Sequence, residues 1–229
     1  MSNDRNINLD FSKSLIIETD KMDWSPSPLP GVDRRRLERE EAEAGRATSI
    51  VRYAPGSSFS SHTHGGGEEY FVLDGTFSDQ SGDYGKGYYV RNPPGSSHAP
   101  HSEEGCTIFV KLCQMDEKGE PQVNLDTSTT LWQNSDDKKG HSNGPKNSHS
   151  QMQLFKNERE HVQLEKLEPQ TELTLKTNEH RIEILILEGS VEFDGKKLEK
   201  YSWIRLPKES KTVMKTKDGC QFWSKRGSI

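Results

Sequence analysis

The chain has 229 residues, a formal net charge of −5 and an apolar fraction of 29%. That length holds one large domain or two small ones, and the apolar fraction lies below the roughly 45–50% of ordinary soluble domains. The longest apolar run, residues 184–187, is strand-sized, which excludes a helical membrane span of about 20 apolar residues. The opening MSNDRNINLD has no apolar core of a secretory signal. Basic residues gather only at Arg34-Arg35-Arg36, and Glu38, Glu40, Glu41 and Glu43 dilute them at once. A direct nucleic-acid partner is therefore not expected. Cys106, Cys113 and Cys220 are odd in number and form no CxxC pair. They read as small buried thiols in a reducing cytoplasm.

Residues 1–14 read as a flexible N-terminus. A short strand is expected at 15–17, and Ser25-Pro26-Ser27-Pro28-Leu29-Pro30-Gly31 must be extended or turning. The stretch 34–46 is so charged that it reads as an exposed strand or loop. Strand patterns follow at 48–53, 59–64, 69–73, 88–90 and 107–112. Turn signals separate them: Pro55-Gly56, Gly65-Gly66-Gly67, Asp74-Gly75, Ser81-Gly82-Asp83 and Pro93-Pro94-Gly95. Short strands at this spacing predict an antiparallel sandwich or barrel without crossover helices. Residues 116–150 are polar and read as a linker, with His141 and His149 expected in solvent. Strand patterns resume at 162–167, 173–176, 182–187, 191–193, 203–206 and 221–223, and Asp194-Gly195 signals a two-residue hairpin. The expected domains are thus 15–115 and 151–229.

These two domains are copies. At an offset of 114 positions the chain aligns with itself, without a gap, from Pro55/Pro169 to Lys111/Lys225. The segment Glu69-Tyr-Phe-Val-Leu-Asp-Gly75 falls on Glu183-Ile-Leu-Ile-Leu-Glu-Gly189, and Arg91 on Arg205. The histidines differ. His62, His64, Glu68 and His98 correspond to Lys176, Asn178, Ile182 and Thr212. A lysine ammonium has no lone pair for a metal, and Ile and Thr replace these ligands no better. Loss of the four as a group indicates that they act as a group.

His62-Thr63-His64 puts two imidazoles on one face of a strand. Glu68 begins the next strand and His98 arrives from a distant turn. Three imidazoles and a carboxylate suit Zn, Fe, Mn, Ni or Cu. Residues 56–75 read G-x5-H-x-H-x3-E-x6-G and residues 87–98 read G-x5-P-x-G-x2-H. In residue type and spacing these resemble the two motifs of the cupins. The resemblance implies an all-β chain of two tandem cupin domains, each a jelly-roll β-barrel. The second is degenerate, and one divalent metal ion sits on His62, His64, Glu68 and His98. Glu69 is retained as Glu183 where the ligands are lost, so it is the structural member of the Glu68-Glu69 pair.

A narrower resemblance rests on Asp23-Trp24-x-Pro26-Ser27-Pro28, Thr48-Ser49-Ile50-Val51-Arg52-Tyr53-Ala54-Pro55-Gly56 and Arg91-Asn92-Pro93-Pro94-Gly95-Ser96-Ser97-His98. These are similar to ChrR-type cupins, the sensor half of a bacterial anti-sigma factor. The resemblance implies a zinc-binding regulatory or stress-sensing protein. The helical sigma-binding domain has no counterpart in this sequence, so sigma-factor contact is not expected. The same motifs also resemble small non-haem dioxygenases that cleave diketones or hydroxyacetophenone-like compounds. That alternative implies Fe(II), with Mn or Ni as further choices, and a small-molecule ligand at the metal. A homodimer is compatible with either reading.

Overall fold

The computed structural model describes residues 6–41, 45–115, 120–135, 142–143 and 148–227. The chain divides into two compact units. One comprises Met1–Leu9 and Asp23–Thr130, the other Asp10–Met22 and Leu131–Ile229. Apart from one 3-10 turn at Thr19–Lys21, every regular element among the described residues is a strand. No helix among them is long and apolar enough to cross a membrane.

The strands up to the middle of the chain are β1 (Leu15–Glu18), β2 (Ser25–Pro26), β3 (Val32–Arg39), β4 (Ala47–Tyr53), β5 (Ser57–Ser58), β6 (His62–Thr63), β7 (Glu68–Asp79), β8 (Gly82–Gly85), β9 (Tyr88–Asn92), β10 (Ser97–His98), β11 (His101–Ser102), β12 (Cys106–Leu112) and β13 (Val123–Asp126). Then follow β14 (Gln133–Asn134), β15 (Ser142–Asn143), β16 (His149–Lys156), β17 (Glu160–Leu167), β18 (Thr171–Lys176), β19 (Arg181–Phe193), β20 (Lys196–Glu199), β21 (Ser202–Leu206), β22 (Lys211–Thr216) and β23 (Cys220–Gly227). The first unit holds a sheet in the order β13-β9-β7-β12-β4-β3-β2 and a separate β10-β6 ribbon. The second holds β14-β16-β17-β23-β19-β22-β18-β15, with β20 and β21 beside β19 and β1 beside β21.

The sheets do not close. Each is an open path with two free ends, which overturns the expectation of two jelly-roll barrels. A barrel needs its last strand to hydrogen-bond to its first along a full register. Here the end strands β2, β14 and β15 are two residues long. Pro26 in β2 also has no N–H to donate. Short strands with turn signals foretell antiparallel sheet, and they cannot tell a curled open sheet from a ring.

The repeat is plain in the fold. β4, β7, β8, β9 and β12 recur as β17, β19, β20, β21 and β23. Gly75 and Gly189 lie at φ +70° and +75°, and a Cβ there would meet the carbonyl oxygens of Gly105 and Gly219 at 2.1 and 2.2 Å. Only glycine fits such a crossing of two strands. Asp194 (φ 50°) and Gly195 (φ 71°) close the β19–β20 hairpin as predicted from their sequence. Tyr70, Val72, Phe77, Val90 and Ile108 centre the first core. Ile184, Ile186, Leu198, Ile204 and Phe222 centre the second.

One feature of the topology crosses between the copies. β13, which precedes the second copy, pairs with β9 of the first unit, Val123 opposite Arg91. β1, which precedes the first copy, pairs with β21 of the second unit, Leu15 opposite Arg205. Arg91 and Arg205 are equivalent in the repeat, so the two arms dock in one register. The same arginines also pin the arms. Arg91 Nη2 donates to Glu120 at 2.6 Å, and Arg205 Nη2 donates to the Asp10 carbonyl at 3.0 Å.

Two polar stretches behave differently from expectation. In β3, Leu37, Glu38 and Arg39 are buried, because Glu38 accepts hydrogen bonds from Arg46 at 2.8 Å and Thr48 at 3.1 Å. A bulge between Arg36 and Glu38 hides the alternation from the sequence. His149 is buried and hydrogen-bonded to Glu165 at 2.8 Å, whereas His141 lies outside the described residues.

Glu165 makes stability depend on pH. Burial alone would raise its pKa, but Arg226, His149 and Ser224 outweigh burial and hold the carboxyl at about 2, against 4.5 for an ordinary glutamate. A carboxyl depressed by folding stabilises the fold above the unfolded value, and that stability is lost as pH falls through the folded value. The expected loss is about 3 kcal/mol between the two values. Thermal melts should therefore show the gap between wild type and Glu165→Gln narrowing from about pH 4.5 towards about pH 2. A gap independent of pH would contradict this account.

Candidate metal centre

The β6–β10 ribbon builds the site. His98 stands directly opposite His62, and opposed residues on such a ribbon hold their Cβ atoms about 4.5–5.5 Å apart. The pairing continues as His64 N–H donates to the Ser96 carbonyl at 2.9 Å, and Gly95 N–H to the His64 carbonyl at 2.8 Å. Gly95, at φ +86°, makes the turn that returns the chain. Ring centroids of the three histidines are 4.6 to 5.1 Å apart, and one donor nitrogen from each lies within 4.8 Å of the others.

Glu68 enters from the first residue of β7. Its Oε2 lies 3.4 Å from His98 Nε2 and 3.7 Å from His64 Nε2. Asn92, its partner across β9, donates to the same oxygen at 3.1 Å. Gln122 in turn donates to the Asn92 amide oxygen at 3.1 Å. The carboxylate is thus aimed by a chain of two amides.

The imidazole protons are placed by acceptors. His62 Nδ1 faces the Ser60 carbonyl at 3.1 Å, which can only accept. His98 Nδ1 donates to Asp79 at 3.2 Å. Both bonds keep the lone pair on Nε2. Burial, reinforced by His98 and His62, lowers the His64 pKa to about 4. Burial also lowers that of His98, with Asp79 pulling the other way. Burial pushes Glu68 up to about 7, against the Asn92 hydrogen bond. Both shifts favour neutral His64 and His98 rings, whose lone pairs are then available as ligands.

A divalent cation fits this arrangement. His64 Nε2 and His98 Nε2 are buried and have no hydrogen-bond partner, a costly state for an acceptor lone pair. Both converge with a carboxylate oxygen on one point. His62, His64 and Glu68 also line a cavity of about 550 Å³, whose other walls include Tyr53, Phe59 and Val110. The ligand set is therefore open on one side.

Residues 12–116 match the family described as ChrR Cupin-like domain. The whole chain resembles a putative dioxygenase from Nostoc punctiforme, with 17% identity, a TM-score of 0.77, and coverage of 94% of this chain and 82% of that one. It also resembles a bacterial pirin in complex with nickel(II) from Escherichia coli, at 13% identity and a TM-score of 0.68 over 95% and 100% of the two chains. A third likeness, at 11% identity and a TM-score of 0.63, is to an oxalate decarboxylase of Bacillus subtilis, covering 93% of this chain and 77% of that one. No curated protein sequence matches that of this chain.

The fold is that of the cupins. Within it the three histidines form a metal-binding site of the cupin type. Glu69, one residue from Glu68, faces the other way and accepts hydrogen bonds from Tyr89 at 2.9 Å and Arg91 at 3.3 Å. Tyr70 and Tyr84 lie in the core, and Tyr53 of the same cluster and Phe59 packed against it also line the cavity. Arg52 pairs with Asp33 on the surface at 2.7 Å, and His101 is exposed.

Sequence reasoning missed Asp79, which orients His98, and Asn92 and Gln122, which orient Glu68. The signal was present for two of them. At the repeat offset, Asp79 becomes Phe193 and Asn92 becomes Leu206, so the orienting groups disappear together with the ligands. Asp79 also accepts from the Ser81 N–H at 2.7 Å, which fixes its carboxylate. Asp79→Asn is expected to weaken metal binding about 10–100-fold, with stoichiometry recovered in excess metal. Competition against a chelator measures this, and an unchanged affinity would remove Asp79 from the site.

Proposed function

We propose that the metal centre is catalytic, a mononuclear cupin dioxygenase site acting on a small organic substrate. The observation that supports this reading is the opening of the ligand set into a substrate-sized cavity. Structural metal sites are closed by protein ligands, whereas catalytic ones keep positions open. Here His62, His64 and His98 would hold the ion through their Nε2 atoms, and Glu68 would supply a fourth, anionic ligand. A bound Fe(II) supplies the one-electron chemistry by which dioxygen reacts with a closed-shell organic molecule.

The chain's own residues do the rest. Asp79 and Ser60 fix the two ring protons away from the cavity. Asn92 and Gln122 hold the Glu68 carboxylate against rotation. Tyr53, Phe59, Val51 and Val110 exclude water from the substrate's flank. The resemblance to a putative dioxygenase and an oxalate decarboxylase agrees with this reading. The ChrR-like match over residues 12–116 favours a second one, a zinc-holding sensor without turnover.

Metal identity and stoichiometry, measured on protein purified without oxygen or added metal, decide between them. Iron, with oxygen uptake on small diketones or related compounds, is the expected result. Tightly held zinc with no uptake would overturn the catalytic reading and leave the sensor.

A further inference from the structure

Two phenols in the first core have no partner for their hydroxyls among the described residues. Tyr70 is 1% exposed, and its hydroxyl is buried and unbonded. Tyr53 is 7% exposed, lines the cavity beside the metal centre, and makes no hydrogen bond among the described residues. Both rings pack on Phe77, at centroid distances of 4.8 Å for Tyr70 and 5.4 Å for Tyr53. Tyr84 and Tyr89, by contrast, donate to Asp79 at 3.4 Å and to Glu69 at 2.9 Å. A buried hydroxyl left unbonded costs about 1–3 kcal/mol. Tyr53 is the one of the two that reaches the cavity, where a partner from outside the chain can meet it.

Pairing of β4 with β12 sets the rest of that wall. Tyr53 stands opposite Cys106, Val51 opposite Ile108 and Ser49 opposite Val110. Alternate strand residues share a face, so Val51, Ile108 and Val110 extend from Tyr53 as an apolar floor, and all three line the cavity. The floor runs about 13 Å from Tyr53 to Ser49. Phe59 links it to the site, its ring 5.5 Å from that of Tyr53 and 6.1 Å from that of His62.

The second unit provides an internal comparison. At the repeat offset Tyr53 becomes Leu167, Tyr70 becomes Ile184, and Val51 and Val110 become Glu165 and Ser224. Leu167 and Ile184 are core residues there. Glu165 and Ser224 are hydrogen-bonded to each other, and Glu165 also to His149 and Arg226. At these positions, an unbonded phenol over an apolar floor occurs only in the copy that has the imidazoles.

We propose that Tyr53 is a substrate-binding residue, whose hydroxyl donates a hydrogen bond to a carbonyl-type oxygen of a ligand with an apolar body lying along Val51, Ile108 and Val110. The proposal rests on the catalytic reading above and names the group that selects its substrate. A phenol keeps its proton at neutral pH and donates to a carbonyl oxygen, whereas an isosteric methylene offers it no acceptor. An analogue without the oxygen leaves the hydroxyl unbonded, which turns one hydrogen bond into selectivity. A volume of about 550 Å³ accommodates one small ligand.

The test is calorimetric titration of the full, zinc-loaded chain, in which a redox-inert ion reads binding alone. The probes are acetophenone beside α-methylstyrene and cyclohexanone beside methylenecyclohexane, pairs that differ only by oxygen against methylene. The quantity read is the ketone-to-alkene affinity ratio in wild type against that in Tyr53→Phe, in which the unequal hydrophobicity of the probes cancels. For at least one pair the ratio is expected to fall about 3–10-fold in the variant, through weaker ketone binding at unchanged zinc content. A fall of less than about threefold for both pairs overturns the proposal, because the oxygen is then held by the metal or by another group. Failure of both ketones to bind wild type below about 10 mM overturns it as well. Should Tyr53→Phe lose zinc or melt early, Tyr53→Leu, which installs the side chain of the second copy, decides by the same ratio. Absence of oxygen uptake alongside a Tyr53-dependent ratio would sink only the catalytic reading.

Discussion

Replacing His98 by alanine is expected to take the bound metal from about one ion per chain to almost none. His98 is the member on which the others converge. It stands opposite His62 on the ribbon, its ring is 4.6 Å from that of His64, and its Nε2 is 3.4 Å from the Glu68 carboxylate. Without it, two imidazoles and one carboxylate remain, spread over a wider opening. His62→Ala should give the same loss of metal at lower cost to the apo fold, because His62 is exposed whereas His98 is buried. Elemental analysis measures the first effect and thermal melting the second. Full stoichiometry in either variant would show that the imidazoles do not form the site.

The largest loss of stability is expected from Gly75→Ala. A Cβ there would sit 2.1 Å from the Gly105 carbonyl oxygen and 2.8 Å from the Cys106 Cα. Both are backbone atoms in or beside a paired strand, so neither can swing away. The backbone at φ +70° adds about 1–2 kcal/mol for any L-residue. A total of about 3 kcal/mol or more is expected, a fall in melting temperature of about 10 °C for a chain of this size. Gly189→Ala should behave alike, since its contact with the Gly219 carbonyl is 2.2 Å. A melting temperature within about 2 °C of wild type for both would mean that the strand crossing can relax.

The parts of this molecule legible in its sequence were those set by local constraint. Gly75, Gly105, Gly189 and Gly219 all adopt positive φ, so the repeat showed through even where side chains had diverged. His62 and His64 were legible because alternate strand residues share a face, and the Glu68-Glu69 pair could be sorted because adjacent residues do not. What stayed hidden depends on partners far along the chain. Charge in 34–39 suggested solvent, yet Glu38 is neutralised by Arg46, and a bulge hides the inward turn of Arg39. His149 looked solvated because its acceptor, Glu165, lies on a different strand. Sheet closure was misjudged because it depends on strand ends of two residues, below the length at which a pattern exists. The β13 arm was hidden for a related reason. It is four residues long in a polar stretch, and backbone hydrogen bonds to β9 carry its pairing.

The traded arms give the copy without the three histidines a structural part to play. β1 completes the second unit and β13 the first, in matching register. Two separate single-copy chains could fill both sheet edges only by swapping arms as a homodimer. Covalent fusion turns that swap into an intramolecular event at high effective concentration. Once fused, the halves cannot be lost one at a time. Removal of the second copy would leave β1 without β21 and Phe11 without Arg181 and Arg205, the two guanidiniums that stack on its ring at 4.1 and 4.4 Å. A repeat that lacks the metal-site side chains thus still supplies the edge on which the strand leading into the other copy depends.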